Sequence, residues 1–167
     1  MQSASVIRAE PPPGEQSLRA AFGRFATGVA FITTQVGDTP LGLIVSSFAA
    51  VSIEPPLISF CPARNSLTWQ RMRLAGAFSV SVIAAPHAAF TRRAAAPGAD
   101  RFADPEVLRD ALAVLDCNLE AEHVAGDHSI VVGRVRRLRV SVSGDPLVYF
   151  AGRFGAFAPD HQETPCP

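Results

Sequence analysis

Residues 28–60 read GVAFITTQVGDTPLGLIVSSFAAVSIEPPLISF, and this stretch decides the fold. β-branched and aromatic residues fill GVAFITTQ, the turn VGDTP follows, and LGLIVSSF returns, which together make a hairpin signal. Pro55 and Pro56 then break the chain before a further apolar run, LISFCP. No segment here is long enough for a crossover helix, so the strands must pair antiparallel.

Working outward, Leu18, Ala21, Phe22 and Phe25 recur at helical spacing behind Ser17. They predict an amphipathic helix that ends near Gly28, with Phe22 and Phe25 as its core face. Asn65 or Ser66 caps a short helix, SLTWQRMRL, which stops at Gly76, and AFSVSVIA then alternates as a strand. A further helix, PHAAFTRRAAA, carries Pro86 in its first turn and stops at Pro97-Gly98. Two long strand signals, VLDCNLEAEHV and HSIVVGRVRRLRVSV, flank the turn AGD, and LVYFA follows the turn SGDP. The expectation is six or seven strands and three helices in a closed or half-closed antiparallel barrel. Residues 1–16, with Pro11, Pro12 and Pro13, are expected to form a flexible arm; 17–155 one domain; and 156–167 a flexible tail.

Composition narrows the partners. Fifteen Lys plus Arg balance fifteen Asp plus Glu, so the overall field that would draw nucleic acid or an anionic membrane is missing. No apolar run has the length of a membrane span and the N-terminus lacks a secretory core, which predicts a cytoplasmic protein. Cys61, Cys117 and Cys166 are far apart and odd in number, the pattern of free thiols. Nucleophile elbows, dinucleotide fingerprints, phosphate loops and zinc-protease spacings do not occur. His123 and His128 flank a turn beside Asp127 with no further ligand in sequence reach, and no metal site is read from them. RVRRLRV, 134–140, puts Arg134 and Arg136 on one strand face and Arg137 and Arg139 on the other, the pattern of an edge protected by charge, with a patch for an anionic ligand as the alternative.

The polar residues of GLIVSSFAAVSIEPP and CPARNSLTW are the informative ones. Ser46, Ser47, Ser52, Arg64, Asn65, Ser66 and Thr68 are brought together by adjacent strands and a helix start. Hydroxyls, amides and a guanidinium are the parts that hold a phosphate, and they are equally the parts of turns and caps. Local chemistry leaves both readings open.

TGVAFITT, LGLIVSSFAAVSIEPPLISF, CPARNSLTW, FSVSVIA, ADRFA, LDCNLEAEHVAGDHSIVVGRV and PLVYFAGRFG resemble, in order, the flavin reductase family with the FMN-binding split-barrel fold. These are NAD(P)H:flavin oxidoreductases, often the reductase components of two-component monooxygenases. The resemblance covers about residues 17–155 and implies a mainly β, antiparallel, Greek-key split β-barrel with peripheral helices. It implies FMN, with FAD possible, and NADH or NADPH as co-substrate. It also implies a homodimer whose site is completed across the subunit boundary, and a partner monooxygenase.

By the same resemblance Val45, Ser46, Ser47, Phe48 and Ala49 lie along the isoalloxazine and ribityl chain. Cys61, Arg64, Asn65, Ser66 and Thr68 surround the phosphate, and Arg101 and Phe102 close the site. His128 faces the reduced nicotinamide as the catalytic candidate, and Phe154 lies near that pocket. Ser46 stands where family members usually carry asparagine, Phe154 where they carry tyrosine, and the segment after ADRFA is shorter than is typical. Two other functions are carried beside flavin reduction: a flavoenzyme acting directly on a secondary metabolite, and a flavin or haem carrier.

Overall fold

The computed structural model describes residues 13–96 and 98–158; most of the expected arm and tail, and Cys166, lie outside them. Ten strands and four α-helices follow one another as α1 (Glu15–Phe22), β1 (Thr27–Gly28), β2 (Ala30–Val36), β3 (Thr39–Val45), β4 (Ala49–Ser52) and β5 (Leu57–Phe60). Then come α2 (Leu67–Met72), β6 (Ala77–Val82), α3 (Ala88–Ala94), α4 (Glu106–Arg109), β7 (Ala113–Ala125), β8 (His128–Val140), β9 (Leu147–Phe150) and β10 (Arg153–Ala156). Every strand pairing is antiparallel. One sheet runs β3-β2-β6-β7-β8-β5-β4 and a smaller one β1-β9-β10. The seven-stranded sheet does not close into a ring, since β3 and β4 remain its two edges. Pro40, which has no N–H to give a ladder, sits on the edge strand β3 opposite Gln35.

Period two along β2 explains why its sequence is apolar on both faces. Ala30 and Ile32 enter one core with Ile58, Phe60, Trp69, Met72, Phe78, Val80 and Val131. Phe31, between them, enters a second core with Val29, Ile83, Phe90, Val107 and Leu147. In the first core Phe60 meets Trp69 and Phe78 edge-on, each at 5.3 Å between centroids. Edge-on contact brings each positive ring edge to a negative ring face. Helix α2 is placed by its cap: Ser66 Oγ accepts from Trp69 N at 3.2 Å, and the Trp69 indole donates to Glu122 at 3.1 Å.

Glycine is required where these layers touch. A Cβ on Gly42 would stand 2.4 Å from the Phe31 ring, and one on Gly133 would stand 2.6 Å from Phe78. The thiol of Cys117, buried in the first core, is pushed up to about 12, by burial first and by the Asp116 carboxylate second.

Two expectations are corrected and a third holds in part. Helix α1 starts at Glu15 behind Gly14 and buries no residue; Phe22 and Phe25 are 71% and 77% exposed and are no core face. The edge expected of RVRRLRV is present in strand β8 over 135–140, but not at Arg134. The strand pairs with β5 from Val131 to Arg134 and has only β7 beside it beyond that point. The even alternation of its arginines also fails. Cys117 pairs with Val135 and Asp116 with Arg137, so Arg136 is the extra residue of a β-bulge. Arg134 then forms a two-pronged pair with Glu120 (2.6 and 2.9 Å), and Arg137 reaches Asp116 at 3.2 Å.

Candidate active site

At the ends of β3 and β5 the chain opens into a cleft of about 980 Å³. Leu43, Ile44 and Val45 give it an apolar wall, and the connection after β3 contributes Ser46 and Ser47. Cys61, Pro62, Ala63 and Ser66 bring the β5–α2 segment to the same cleft, and Asp127 and His128 bring the β7–β8 turn. Glu15, Leu18, Arg19 and Phe22 of α1 line it as well.

Three hydrogen bonds join the walls. Cys61 N–H donates to Ser47 Oγ at 2.9 Å, which ties the connection after β3 to the end of β5. Arg64 N donates to Asp127 O at 2.9 Å and Ser129 N to Pro62 O at 3.0 Å, which latch the 62–64 segment onto the β7–β8 turn. The Arg64 guanidinium also reaches Gly126 O at 3.3 Å. Ser46 is exposed, and its hydroxyl bonds to none of the described residues.

His128 sits 2.8 Å from Asp127 through Nδ1. That contact leaves Nε2 as the nitrogen without a partner among the described residues, and so the one available to a bound molecule. The hydrogen bond from His128 holds the Asp127 carboxyl below the usual carboxylate range; the His128 and Arg19 charges add to it.

The expected site residues therefore divide. Val45, Ser46, Ser47, Cys61, Ser66 and His128 line one cleft. Arg64, Asn65 and Thr68 lie on or beside its β5–α2 wall, with Arg64 turned toward Gly126. Phe48 packs against the first core, and Ala49 begins β4 opposite Ser59. Phe102 packs on Phe31 at 5.6 Å in the second core, with Arg101 half-buried beside it. Phe154 lies on β10 against Tyr149 at 5.3 Å, with the Arg92 guanidinium 5.6 Å from its ring. It lines a separate hollow on the β9–β10 hairpin.

Sequence reasoning missed Leu18, Arg19, Phe22 and Asp127. The signal for the first three was in EQSLRAAF, a helix with only two large apolar residues, too few for a core face.

A planar ring with a polar edge and an anionic tail suits this cleft, since it offers an apolar wall, an unpartnered hydroxyl, main-chain groups and a nearby guanidinium. Among the described residues no group of three His, Cys, Asp or Glu could hold a metal ion, and no helix is long and apolar enough to cross a membrane.

The flavin reductase like domain model matches residues 22–158. The chain is 35% identical over 158 residues to a flavin-dependent monooxygenase reductase subunit from Rhodococcus jostii, covering 89% of this chain and 80% of that protein. It is 38% identical over 149 residues to an actinorhodin polyketide dimerase from Streptomyces coelicolor, covering 83% and 84%. An NADH:FAD oxidoreductase from Streptomyces globisporus, solved with NAD and FAD fragments, superposes with a TM-score of 0.83 at 30% identity, covering 93% of this chain and 99% of that one.

Proposed function

The chain belongs to the flavin reductase like family, and from that premise we propose that it oxidises NADH or NADPH and reduces FMN or FAD, releasing reduced flavin to a separate monooxygenase in the cytoplasm. The carrying observation is the cleft itself: an apolar wall of Leu43, Ile44 and Val45, the free Ser46 hydroxyl, and His128 with Nε2 unspent. No activated nucleophile is needed there. Flavin supplies the chemistry when bound, taking hydride from nicotinamide C4 at its N5, and the protein supplies binding and alignment.

Each residue then has a task. Val45, Leu43 and Ile44 exclude water from one ring face, while Ser46 and the Ala63 N–H donate to the ring's polar edge, where charge grows on reduction. Ser66, Arg64, Asn65 and Thr68 hold the phosphate end. His128 orients the nicotinamide through Nε2, its ring held by Asp127. Arg101, Phe102 and Phe154 serve the site less directly, the first two by supporting the wall through Phe31 and the last from a second subunit of a homodimer.

The test is an anaerobic spectrum of the purified protein with added flavin and NADH. Bleaching of the visible flavin absorbance, dependent on both additions, supports the reading; no bleaching with FMN, FAD or riboflavin ends it. A flavoenzyme acting directly on an organic substrate is the second reading, favoured by the likeness to the polyketide dimerase and by Ser46 and Phe154 standing where the family usually has asparagine and tyrosine. Protein that purifies yellow with stoichiometric flavin and consumes negligible NADH selects it.

A further inference from the structure

Helix α1, an element that buries nothing, ends on Phe22, and Phe25 follows three positions later outside it; the two rings are 71% and 77% exposed. Exposure of a single large apolar residue needs no explanation, but these two are not equivalent. Phe22 lines the cleft and Phe25 does not. Leu18, one helical turn before Phe22, lines it as well, so one stripe of the helix faces the cavity.

The end of the helix that carries Phe22 is also the anchored end. Ala151 N donates to Gly23 O at 2.8 Å and Gly23 N to Arg19 O at 3.0 Å, which ties the residue after Phe22 to the β9–β10 turn. An exposed aromatic ring thus lines the same cleft as the apolar side chains of Leu43, Ile44 and Val45. An aromatic ring and aliphatic side chains lining one open cleft suit a planar heteroaromatic ring, which stacks on Phe22.

We infer that Phe22 is a ring-binding residue of this site, stacking on the isoalloxazine or the nicotinamide of a bound substrate. The inference rests on the flavin reductase reading above and adds to it a contact from α1.

The experiment compares Phe22→Ala, Phe22→Leu, Phe22→Trp and Phe25→Ala with the wild type. It reads the FMN Kd by fluorescence quenching, the KM for NADH, the melting temperature and the sedimentation coefficient. Loss of one stacking contact is expected to weaken FMN binding roughly 3- to 10-fold in Phe22→Ala and Phe22→Leu. If the nicotinamide is the partner, the same factor appears in the KM for NADH while the FMN Kd holds. Phe22→Trp restores the affected constant, Phe25→Ala changes neither, and melting temperatures stay within experimental scatter because both rings are exposed.

Unchanged constants in both Phe22 truncations overturn the inference. So does an equal loss in Phe25→Ala, or a loss that tracks a changed sedimentation coefficient, either of which makes the helix face a subunit contact instead. Wild-type protein that binds FMN but oxidises no NADH sinks the reductase reading alone, and the Kd comparison still decides Phe22. Absence of FMN binding in the wild type removes both.

Discussion

Ser46 and Ser47 are neighbours of identical chemistry with different duties. Ser47 Oγ is occupied by Cys61 N–H at 2.9 Å, whereas Ser46 is exposed at the cleft with no internal partner. Removing the Ser47 hydroxyl orphans a partly buried N–H, so Ser47→Ala is expected to lose about 1 to 3 kcal/mol of stability in urea denaturation. Ser46→Ala should stay within roughly 0.5 kcal/mol of wild type while weakening flavin binding, since its hydroxyl has only a ligand to meet. Equal stability losses in the two variants would show that the division is mistaken. For His128 the expected split is between binding and turnover: His128→Ala keeps the FMN Kd and lowers NADH oxidation, and an unchanged rate makes it a turn residue that merely bonds Asp127. The sequence marked all three residues as site candidates but could not separate clamp from ligand contact. Whether a serine faces a neighbouring strand or the cleft depends on where the connection between β3 and β4 lies against Cys61, and that is a tertiary fact.

At the level of elements, alternation and punctuation made most strands legible. The hairpin of β2 and β3, the cap of α2 at Ser66 and the long β7–β8 pair stand where the residues put them. What failed has physical causes. RVRRLRV contains nothing that marks a bulge, because arginines tolerate either face, and the insertion at Arg136 shows only in the partners Asp116 and Cys117 across the ladder. Helix α1 was recognisable as amphipathic, but an apolar stripe does not say what covers it, and here it faces the cleft rather than the core. The close layer contact at Gly133 offers a test of the β8 register. A methyl there meets Phe78, Ile58 and Cys117 at 2.6, 3.1 and 3.3 Å, three sides of one packed core. Gly133→Ala is therefore expected to cost about 1 to 3 kcal/mol of unfolding free energy. A neutral result would mean that β8 does not cross the first core at this point.

At the scale of the molecule, the sheet is left open and much of its apolar surface uncovered. Among the described residues β3 and β4 each have a strand on one side only, β8 loses one neighbour beyond Arg134, and Val51, Ile53, Leu138, Val140 and Val142 are exposed. Ile53 is 90% exposed in the turn after β4, and the β4–β5–β8 pairing brings that turn toward the far half of β8. Single exposed apolar residues are ordinary, but an unpaired strand segment beside several of them favours association. Phe154 adds an independent reason, since the resemblance implies a place near the nicotinamide pocket and within one chain it lines a separate hollow. The proposed homodimer accounts for both if the second copy covers this apolar surface and brings its Phe154 to the neighbouring cleft. Sedimentation equilibrium at micromolar concentration is therefore expected to give twice the 17.7 kDa chain mass. Ile53→Glu combined with Leu138→Glu should shift the protein toward monomer, because each places an unpaired charge in a surface that must be desolvated. The same variant should lower NADH oxidation more than FMN binding if Phe154 acts across the boundary. A wild-type monomer with full activity would confine the whole site to the α1, β3, β5 and β8 residues of one chain.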